Sequence, residues 1–528
     1  MTSKLQPQTW TIVEAGGLAP GPATINAIGS RLCWENLCLP VRAGTSSLGC
    51  GTGLKETTSI SEENMPARLL AKLQAAPNAP CPSASSIKNN GRVFYPIGYG
   101  ADPTGANESS DAILQSLNDA FNVQSGLELL PGVKDLGGVI IDFQGGNYKI
   151  SKPIRFPPGV GNVVVQGGTL RASDTFPSDR HLIELWAPNS QKLKRTDAIK
   201  IDRNYVFNDV KDQTARTYYE DITFRDVLFD SGFRGGGIFV IDSARIRINN
   251  CFFLHFTTQG ILVQRGHETF ISSCFLGQRS TVGGDPGERG FSGTAIDLAS
   301  NDNAITDVTI FSAAIGVLLR GQANIVTGVH CYNKATAFGG IGILVKLADA
   351  ALTRIDNCYL DYTGIVLEDP VQVHVTNGFF LGDANIVLKS IKGRISGLNI
   401  VENMFNGSPA RNVPIIKLDG EFSNIDQVVI ERNNVNGMSL KSTAGKLSVA
   451  GNGTKWVADF SPILVFPNRI SHFQYSMYVK GLPRLFVAYG VTNVSDNVVV
   501  VESDRAVTAV VSVAVDQYNM VGEGNFVM

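Results

Sequence analysis

Short apolar runs recur along the middle of the chain, and most of them begin at glycine or another small residue. The runs are rich in β-branched residues and leucine, and polar residues separate them, which is the pattern of short β-strands. The copies are residues 237–240, 260–263, 295–298, 316–319, 342–345, 364–367 and 385–388.

A second pattern lies between these runs and consists of polar residues, then a small residue, then an aromatic one. Its copies are residues 249–252, 272–275, 356–359, 376–379 and 402–405, with looser copies at 330–332 and 433–435. A third short strand, such as residues 245–248, precedes the polar step. Three strands in about 20 to 27 residues, repeated about eight times, predict an all-β fold, a right-handed parallel β-helix. β-Propellers have longer repeats, and the leucine framework of leucine-rich repeats is missing from this sequence.

Stacked coils place equivalent residues directly above one another. The recurring asparagine is expected to stack at one turn, where asparagine tolerates a left-handed backbone. Cys251 and Cys274 are expected to share a register on adjacent coils, and so are Cys331 and Cys358. A coil spacing of about 4.8 Å permits a disulfide, but we favour a ladder of buried free thiols.

The repeat divides the chain into three parts. Residues 1–90 lack periodicity and are expected to be an irregular N-terminal segment. Residues 91–440 are predicted to form the β-helix, and residues 441–528 a C-terminal β-rich cap or small domain.

An amphipathic helix is predicted over residues 109–121, with its N-cap among residues 109–111. Such a helix covers the open first coil, where the core and strand edges are otherwise exposed. Residues 177–218 and 281–292 are polar or rich in turn residues and are predicted to be inserted loops.

Composition narrows the classes of partner. Lys and Arg number 45 against 47 Asp and Glu, a balance that favours neither nucleic acid nor an anionic membrane as partner. No apolar run is long enough to span a membrane, and no zinc-ligand spacing occurs. Residues 1–17 show no apolar segment of the signal-peptide type. Glycosylation sequons, which matter if the protein is secreted, occur at Asn107, Asn406, Asn452 and Asn493.

Residues 92–517 resemble the plant quartet-type polygalacturonases, of the pectate-lyase-like superfamily and grouped with glycoside hydrolase family 28. The resemblance is carried by residues 94–105 (FYPIGYGADPTG), 247–253 (RINNCFF), 356–362 (DNCYLDY) and 515–517 (VDQ). It implies a secreted plant enzyme that acts on demethylated pectin in cell walls. The Asn-x-Asp, Asp-Asp, Gly-His-Gly and Arg-x-Lys motifs usual in family 28 are not found as a set, since Gly266-His267 is followed by Glu268.

Hydrolysis of a glycosidic bond needs an acid and a second carboxylate. The resemblance places such groups in the turn before the glycine-led strand, where Asp361 and Asp383 stand on successive coils. Neighbouring carboxylates would separate their pKa values, although turn aspartates more often hydrogen-bond backbone. Asp297 is the next candidate, because it interrupts a column of apolar residues. Asp285 and Glu288, in an inserted loop, are held in reserve.

Basic residues follow the same strands on consecutive coils. Arg320, Lys346 and Lys389 are candidates for binding uronate carboxylates. The structural alternative is a ladder of alternating charge from Lys346 through Glu368 to Lys389.

The leading functional hypothesis is metal-free, cofactor-free hydrolysis of α-1,4-galacturonan by a monomeric enzyme, with pectic polysaccharide as its partner. A pectate lyase that uses Ca²⁺ and an Arg or Lys base is the second enzyme hypothesis. A non-catalytic, polysaccharide-binding β-helix is the third, and the absent family motifs favour it.

Overall fold

The structure is a computed structural model that describes residues 31–34, 37–40, 87–123, 126–187, 217–278, 292–332, 340–348, 351–481 and 486–518. Strands β1 (Arg31–Trp34) and β2 (Leu37–Pro40) form an antiparallel pair within the segment predicted to be irregular. They belong to a separate unit of the chain, residues 1–81.

In residues 82–528, parallel strands wind into coils with three faces, which we call sheets A, B and C. Each glycine-led strand belongs to sheet A, and it is followed by one strand of sheet B and one of sheet C. Sheet A contains β8 (Ile154–Arg155), β10 (His181–Leu185), β12 (Gly236–Ala244), β15 (Gln259–His267), β18 (Thr294–Asn301), β21 (Ile315–Leu319), β24 (Ile341–Val345), β27 (Ile365–Glu368), β30 (Ile386–Lys389) and β33 (Ile416–Asp419).

Sheet B begins with the longer strands of the first coils and continues with shorter ones. It contains β4 (Val93–Phe94), β6 (Val133–Asp142), β9 (Val160–Ala172), β11 (Tyr219–Asp230), β13 (Arg247–Asn249), β16 (Phe270–Ser272), β19 (Ala304–Thr306), β22 (Ile325–Thr327), β25 (Thr353–Asp356), β28 (Val371–Thr376), β31 (Arg394–Val401), β34 (Asn424–Asp426) and β35 (Val429–Glu431).

Sheet C uses the second halves of β9 and β11 and then separate short strands. These are β7 (Asn147–Ile150), β14 (Phe252–Leu254), β17 (Phe275–Gly277), β20 (Thr309–Phe311), β23 (His330–Tyr332), β26 (Tyr359–Asp361), β29 (Phe379–Leu381), β32 (Met404–Asn406) and β36 (Asn434–Asn436). Two short strands, β3 (Asn89–Asn90) and β5 (Glu128–Leu130), pair antiparallel with β4 and β6.

The register of sheet A confirms that the repeats stack. Ile238 pairs with Ile261, which pairs with Ile296, and all three are completely buried in one continuous core. The predicted parallel β-helix is therefore confirmed.

A helix closes the N-terminal end, as predicted. Helix α1 (Ser110–Phe121) buries Ile113 and Leu117 in the same core as the coils, and Ser109 is its N-cap. A 3₁₀ turn (Pro96–Tyr99) packs beside it. No helix in the described part of the chain has both the length and the apolar character that crossing a bilayer requires.

An antiparallel sheet follows the last coil. Its long central strand β40 (Val498–Asp516) pairs with β37 (Ala444–Asp459), β38 (His472–Val479) and β39 (Tyr489–Ser495). Trp456 and Phe460 lie in its own buried core. This sheet is the β-rich cap that the sequence predicts.

The prediction of an asparagine stack at one turn is wrong in part. From β13 to β36 the turn between sheets B and C uses one residue with positive φ on each of eight coils, and the residue type varies: Asn250, Ser273, Asp307, Gly328, Asn357, Asn377, Glu402 and Arg432. Asparagine, aspartate and glycine adopt positive φ most easily. Serine, glutamate and arginine also adopt it here, so the turn does not require asparagine on every coil.

Asn403 shows why the sequence pattern was misaligned. Phe379 pairs with Met404, so Glu402 occupies the turn and Asn403 lies one residue later, completely buried. Its Nδ2 donates to Val375 O at 3.1 Å and Val401 O at 3.0 Å, and its Oδ1 accepts the Gly378 amide at 2.9 Å. The amide side chain thus joins two coils inside the core.

The cysteine prediction is half wrong. Cys251 and Cys274 precede the paired residues Phe252 and Phe275, so they share a register. Cys331, however, pairs with Leu360, whereas Cys358 stands two residues earlier. All four are buried free thiols, and burial raises their pKa values where a shift is resolved, at Cys251, Cys331 and Cys358.

Asn403→Ala should destabilise the protein by about 3 kcal/mol, because it leaves buried backbone groups of neighbouring coils unpaired. The check is the denaturant midpoint of unfolding. Asn249→Ala is the matched control: Asn249 is exposed and makes a 2.9 Å bond to Ser272 Oγ, so the change should stay within about 0.5–1 kcal/mol. Equal shifts for the two variants would contradict the role given to Asn403.

Candidate active site on sheet A

One column of side chains runs along the outer surface of sheet A. Successive residues of a strand point to opposite faces, so the residues between the core positions face outward. Strand register places the following residues on this column, one per coil: Arg155, Glu184, Phe239, Leu262, Asp297, Leu318, Leu344, Val366, Val387 and Lys417. We call this set the outer column.

Asp297 is a buried carboxylate on the outer column. The residue is only 4% exposed, and its neighbours on the outer column are the apolar residues Leu262 and Leu318. Arg320, one coil later, donates Nε to Oδ1 and Nη2 to Oδ2, both at 2.8 Å. This bidentate pairing is the strongest geometry available to a carboxylate and a guanidinium.

The pKa of Asp297 is raised, because burial disfavours the ionised carboxylate. The positive charges of Arg320 and, further down, Lys346 oppose that rise. The sequence predicted Asp297 as a catalytic candidate and Arg320 as a separate substrate-binding residue, but the structure joins them in one pair.

Lys346 and Lys389 have different surroundings. Lys346 is exposed one coil beyond Arg320, and its positive charge lowers the pKa of Asp297. Lys389 places Nζ 3.2 Å from Glu368 Oε1, and it pairs in register with both Glu368 and Asp419. For Lys389, the alternative of an alternating charge ladder therefore describes the structure.

Asp361 and Asp383 both precede sheet A strands on successive coils, but they do not share a register. Asp361 ends β26 and pairs with Leu381, so Asp383 lies two residues further along its own coil, at φ 68°. The Asp383 side chain accepts the Ser408 amide at 2.6 Å and Arg411 Nη1 at 3.2 Å. Asp383 therefore anchors a turn, as turn aspartates commonly do.

Asp361 lies on the outer surface of sheet C beside aromatic residues. Its neighbour Tyr359 has a raised pKa, caused first by burial and then by the charge of Asp361. Tyr359 stacks on His330 with ring centroids 4.2 Å apart. Asp361 precedes β27, which is three coils beyond the β18 strand of Asp297, so the predicted carboxylates do not form one cluster. Asp285 and Glu288 lie outside the described residues.

A second charged cluster on the outer column was missed. Glu184, which is 1% exposed, accepts Arg155 Nε at 2.9 Å and also pairs with Arg180. Both guanidinium groups lie over the ring of Trp186, at 4.4 and 5.0 Å from its centroid. His181 beside them is buried, which lowers its pKa to about 4 and leaves it neutral.

The cluster was missed because residues 177–218 were predicted to be an inserted loop. That prediction is wrong for residues 181–185, which form β10. The available signal was Glu184 itself, an acidic residue inside a short apolar run, the same anomaly that marked Asp297. Among the described residues, no group of three or more His, Cys, Asp and Glu side chains is placed to hold a metal ion.

No protein-family model matches the chain. Over 464 residues it is 50% identical to polygalacturonase QRT3 of Arabidopsis thaliana, a match that covers 87% of this chain and 89% of that protein. Among solved structures, ORF18 of Geobacillus virus E2 matches with a TM-score of 0.47 and 11% identity, covering 81% of this chain and 79% of the other. The A-module of the Azotobacter vinelandii mannuronan C-5 epimerase AlgE6 matches with a TM-score of 0.40 and 10% identity, covering 65% and 94%.

Proposed function

The chain belongs to the family of polygalacturonase QRT3, and we propose that it hydrolyses the α-1,4-galacturonan of pectin. Identity of 50% over most of both chains supports a shared substrate class. We further propose that it acts in the plant cell wall, as a secreted monomer without a metal or cofactor.

The observation that carries the proposal is the Asp297–Arg320 pair on the outer column. A glycosidase acid must hold a proton near neutral pH, and burial is the usual means of keeping a carboxyl protonated. Burial acts on Asp297 in that direction. We assign Asp297 as the acid that protonates the leaving oxygen, with Arg320 fixing the orientation of its carboxyl group.

The charges on the same surface support an anionic polymer as substrate. Lys346 is exposed beside the pair, and Arg155 and Lys417 lie further along the outer column. Each is a partner for a uronate carboxylate. A second carboxylate completes glycoside hydrolysis. Asp285 and Glu288, in the loop that precedes the strand of Asp297 in the sequence, are the candidates for it, whereas Asp361 and Asp383 lie apart from Asp297.

Asp297→Asn should lower the release of reducing ends from polygalacturonate by about 10²- to 10⁴-fold, the usual contribution of a general acid. Asparagine keeps the size of the side chain, but its amide is not an acid and cannot protonate the leaving oxygen. The amide variants of Asp285 and Glu288 are assayed in parallel, and the one that loses a comparable factor while remaining folded is the second carboxylate. Asp361→Asn and Asp383→Asn should keep their activity.

Three results would contradict the proposal in different ways. Full activity of Asp297→Asn would show that Asp297 is not the catalytic acid. Polygalacturonate binding without any reducing ends would favour a non-catalytic binding protein. Unsaturated products that absorb in the ultraviolet, and that a chelator abolishes, would favour a lyase.

Arg320→Gln should move the alkaline limb of the pH profile of kcat/KM to higher pH. An acid catalyst is active only while protonated, so the limb follows the pKa of Asp297. Arg320 stabilises the ionised form and holds that pKa down. Its removal therefore raises the pKa and extends activity upward. Lys389→Gln is the control, because Lys389 pairs with Glu368 instead, and its limb should stay in place.

Protein isolated from its own tissue should lose mass when N-glycans are removed enzymatically. The four sequon asparagines, Asn107, Asn406, Asn452 and Asn493, are all exposed, so an oligosaccharide fits at each. A variant with all four changed to Gln, expressed in the same tissue, should show no shift. An unchanged mass for the natural protein would contradict passage through the secretory route.

A further inference from the structure

The Glu184 cluster lies on the same surface as Asp297 but at a distance from it. Register runs from Glu184 through Phe239 and Leu262 to Asp297, which is three coils, or roughly 14 Å at the usual strand spacing. That separation is longer than a single pyranose ring. A polymer that follows the outer column would therefore present different sugar units to the two places.

The cluster carries more positive than negative charge. A buried carboxylate needs a partner, and one guanidinium would be enough for Glu184. Two are present, Arg155 and Arg180, and the neutral His181 adds no charge. The surplus of one positive charge lies at the surface, since the Arg155 side chain is 47% exposed.

The guanidinium group of Arg155 is held in place through Nε, and its Nη1 and Nη2 edge can bind a ligand. Its Nε donates to Glu184, and its plane lies over the Trp186 ring. Within the described residues, its Nη1 and Nη2 atoms donate no hydrogen bond. These two atoms form the fork that binds a carboxylate with two parallel hydrogen bonds. Arg180 is less exposed, at 26%, and uses Nη2 for Glu184.

We propose that Arg155 binds the carboxylate of a uronic acid unit several residues along the chain from the unit at Asp297. Glu184 and Trp186 are positioning residues, because they orient the guanidinium and do not reach the sugar themselves. This inference rests on the proposed function, since it takes the galacturonan to lie along the outer column. Its consequence is a preference for substrates long enough to span both places.

The test measures binding of galacturonate oligomers by calorimetry, with the full chain carrying Asp297→Asn so that the ligand is not cleaved. Arg155→Gln should weaken binding of a long oligomer by about tenfold, the worth of one charge-assisted interaction. Binding of a dimer, which cannot span both places, should not change. Arg155→Lys keeps the charge but not the fork, and should recover only part of the affinity.

Arg225→Gln is the matched control. Arg225 is an exposed arginine of sheet B that donates Nε and Nη2 to Gln166, so the substitution removes the same charge from another face. Its binding of both oligomers should equal that of the parent. Thermal unfolding of each variant verifies the fold, and Arg155→Lys provides the measurement if Arg155→Gln does not fold.

Unchanged binding of the long oligomer by Arg155→Gln and Arg155→Lys would overturn the inference, and so would an equal loss for dimer and long oligomer. The same Arg155 variants with Asp297 restored are assayed for release of reducing ends, which separates the two proposals. Hydrolysis without the length-dependent loss of binding would contradict only the role of Arg155. A length-dependent loss of binding without any hydrolysis would contradict only the hydrolase function. Failure of the parent to bind any oligomer would contradict both.

Discussion

Backbone pairing between each strand and the equivalent strand one coil later is the interaction on which the rest of this protein depends. A slip of one residue would exchange the inner and outer faces of a strand. The small residues at the strand entrances protect the register of sheet A. A Cβ at Gly237 would lie 2.5 Å from the Phe253 ring, and one at Gly260 would lie 2.9 Å from Leu276. The first residue of each of these strands must therefore have a small side chain, because the next coil packs directly against it.

The same pairing decides where charge is tolerated. The interior of the coils is a continuous apolar core, so a charged side chain in a strand must occupy an outer position. On the outer column, leucine, phenylalanine and valine fill most positions, so the fold does not require Asp297 or Glu184. Burying an ion pair costs desolvation that a hydrophobic pair avoids. Stability therefore does not explain two buried acid–guanidinium pairs on one face, and they are the ground on which we propose an anionic polysaccharide as ligand.

Sheet C illustrates the opposite case. Its outer surface brings aromatic residues of successive coils together, as in the stacked Phe252–Phe275 and His330–Tyr359 pairs. These rings contact one another across coils and stabilise the stack. The repeated aromatic of the sequence pattern thus has a structural explanation. Asp361, one of the two carboxylates that the sequence favoured first, belongs to this face and not to the charged surface of sheet A.

The repeating unit, the order of strands within a coil, the capping helix, the C-terminal sheet and the anomaly of Asp297 could all be predicted from the amino-acid sequence. Each of these follows from local periodicity or from one residue that violates it. Which residues of neighbouring coils meet became visible only in the folded structure. Coil lengths differ, and the turn between sheets B and C accepts several residue types, so local patterns cannot resolve a shift of one or two residues. That uncertainty misplaced Asn403, Cys358 and Asp383. The contact of Arg155 with Glu184 was missed for another reason, because strand β10 was taken for part of a loop; the two residues are 29 apart in the chain and adjacent only because one coil lies on the next.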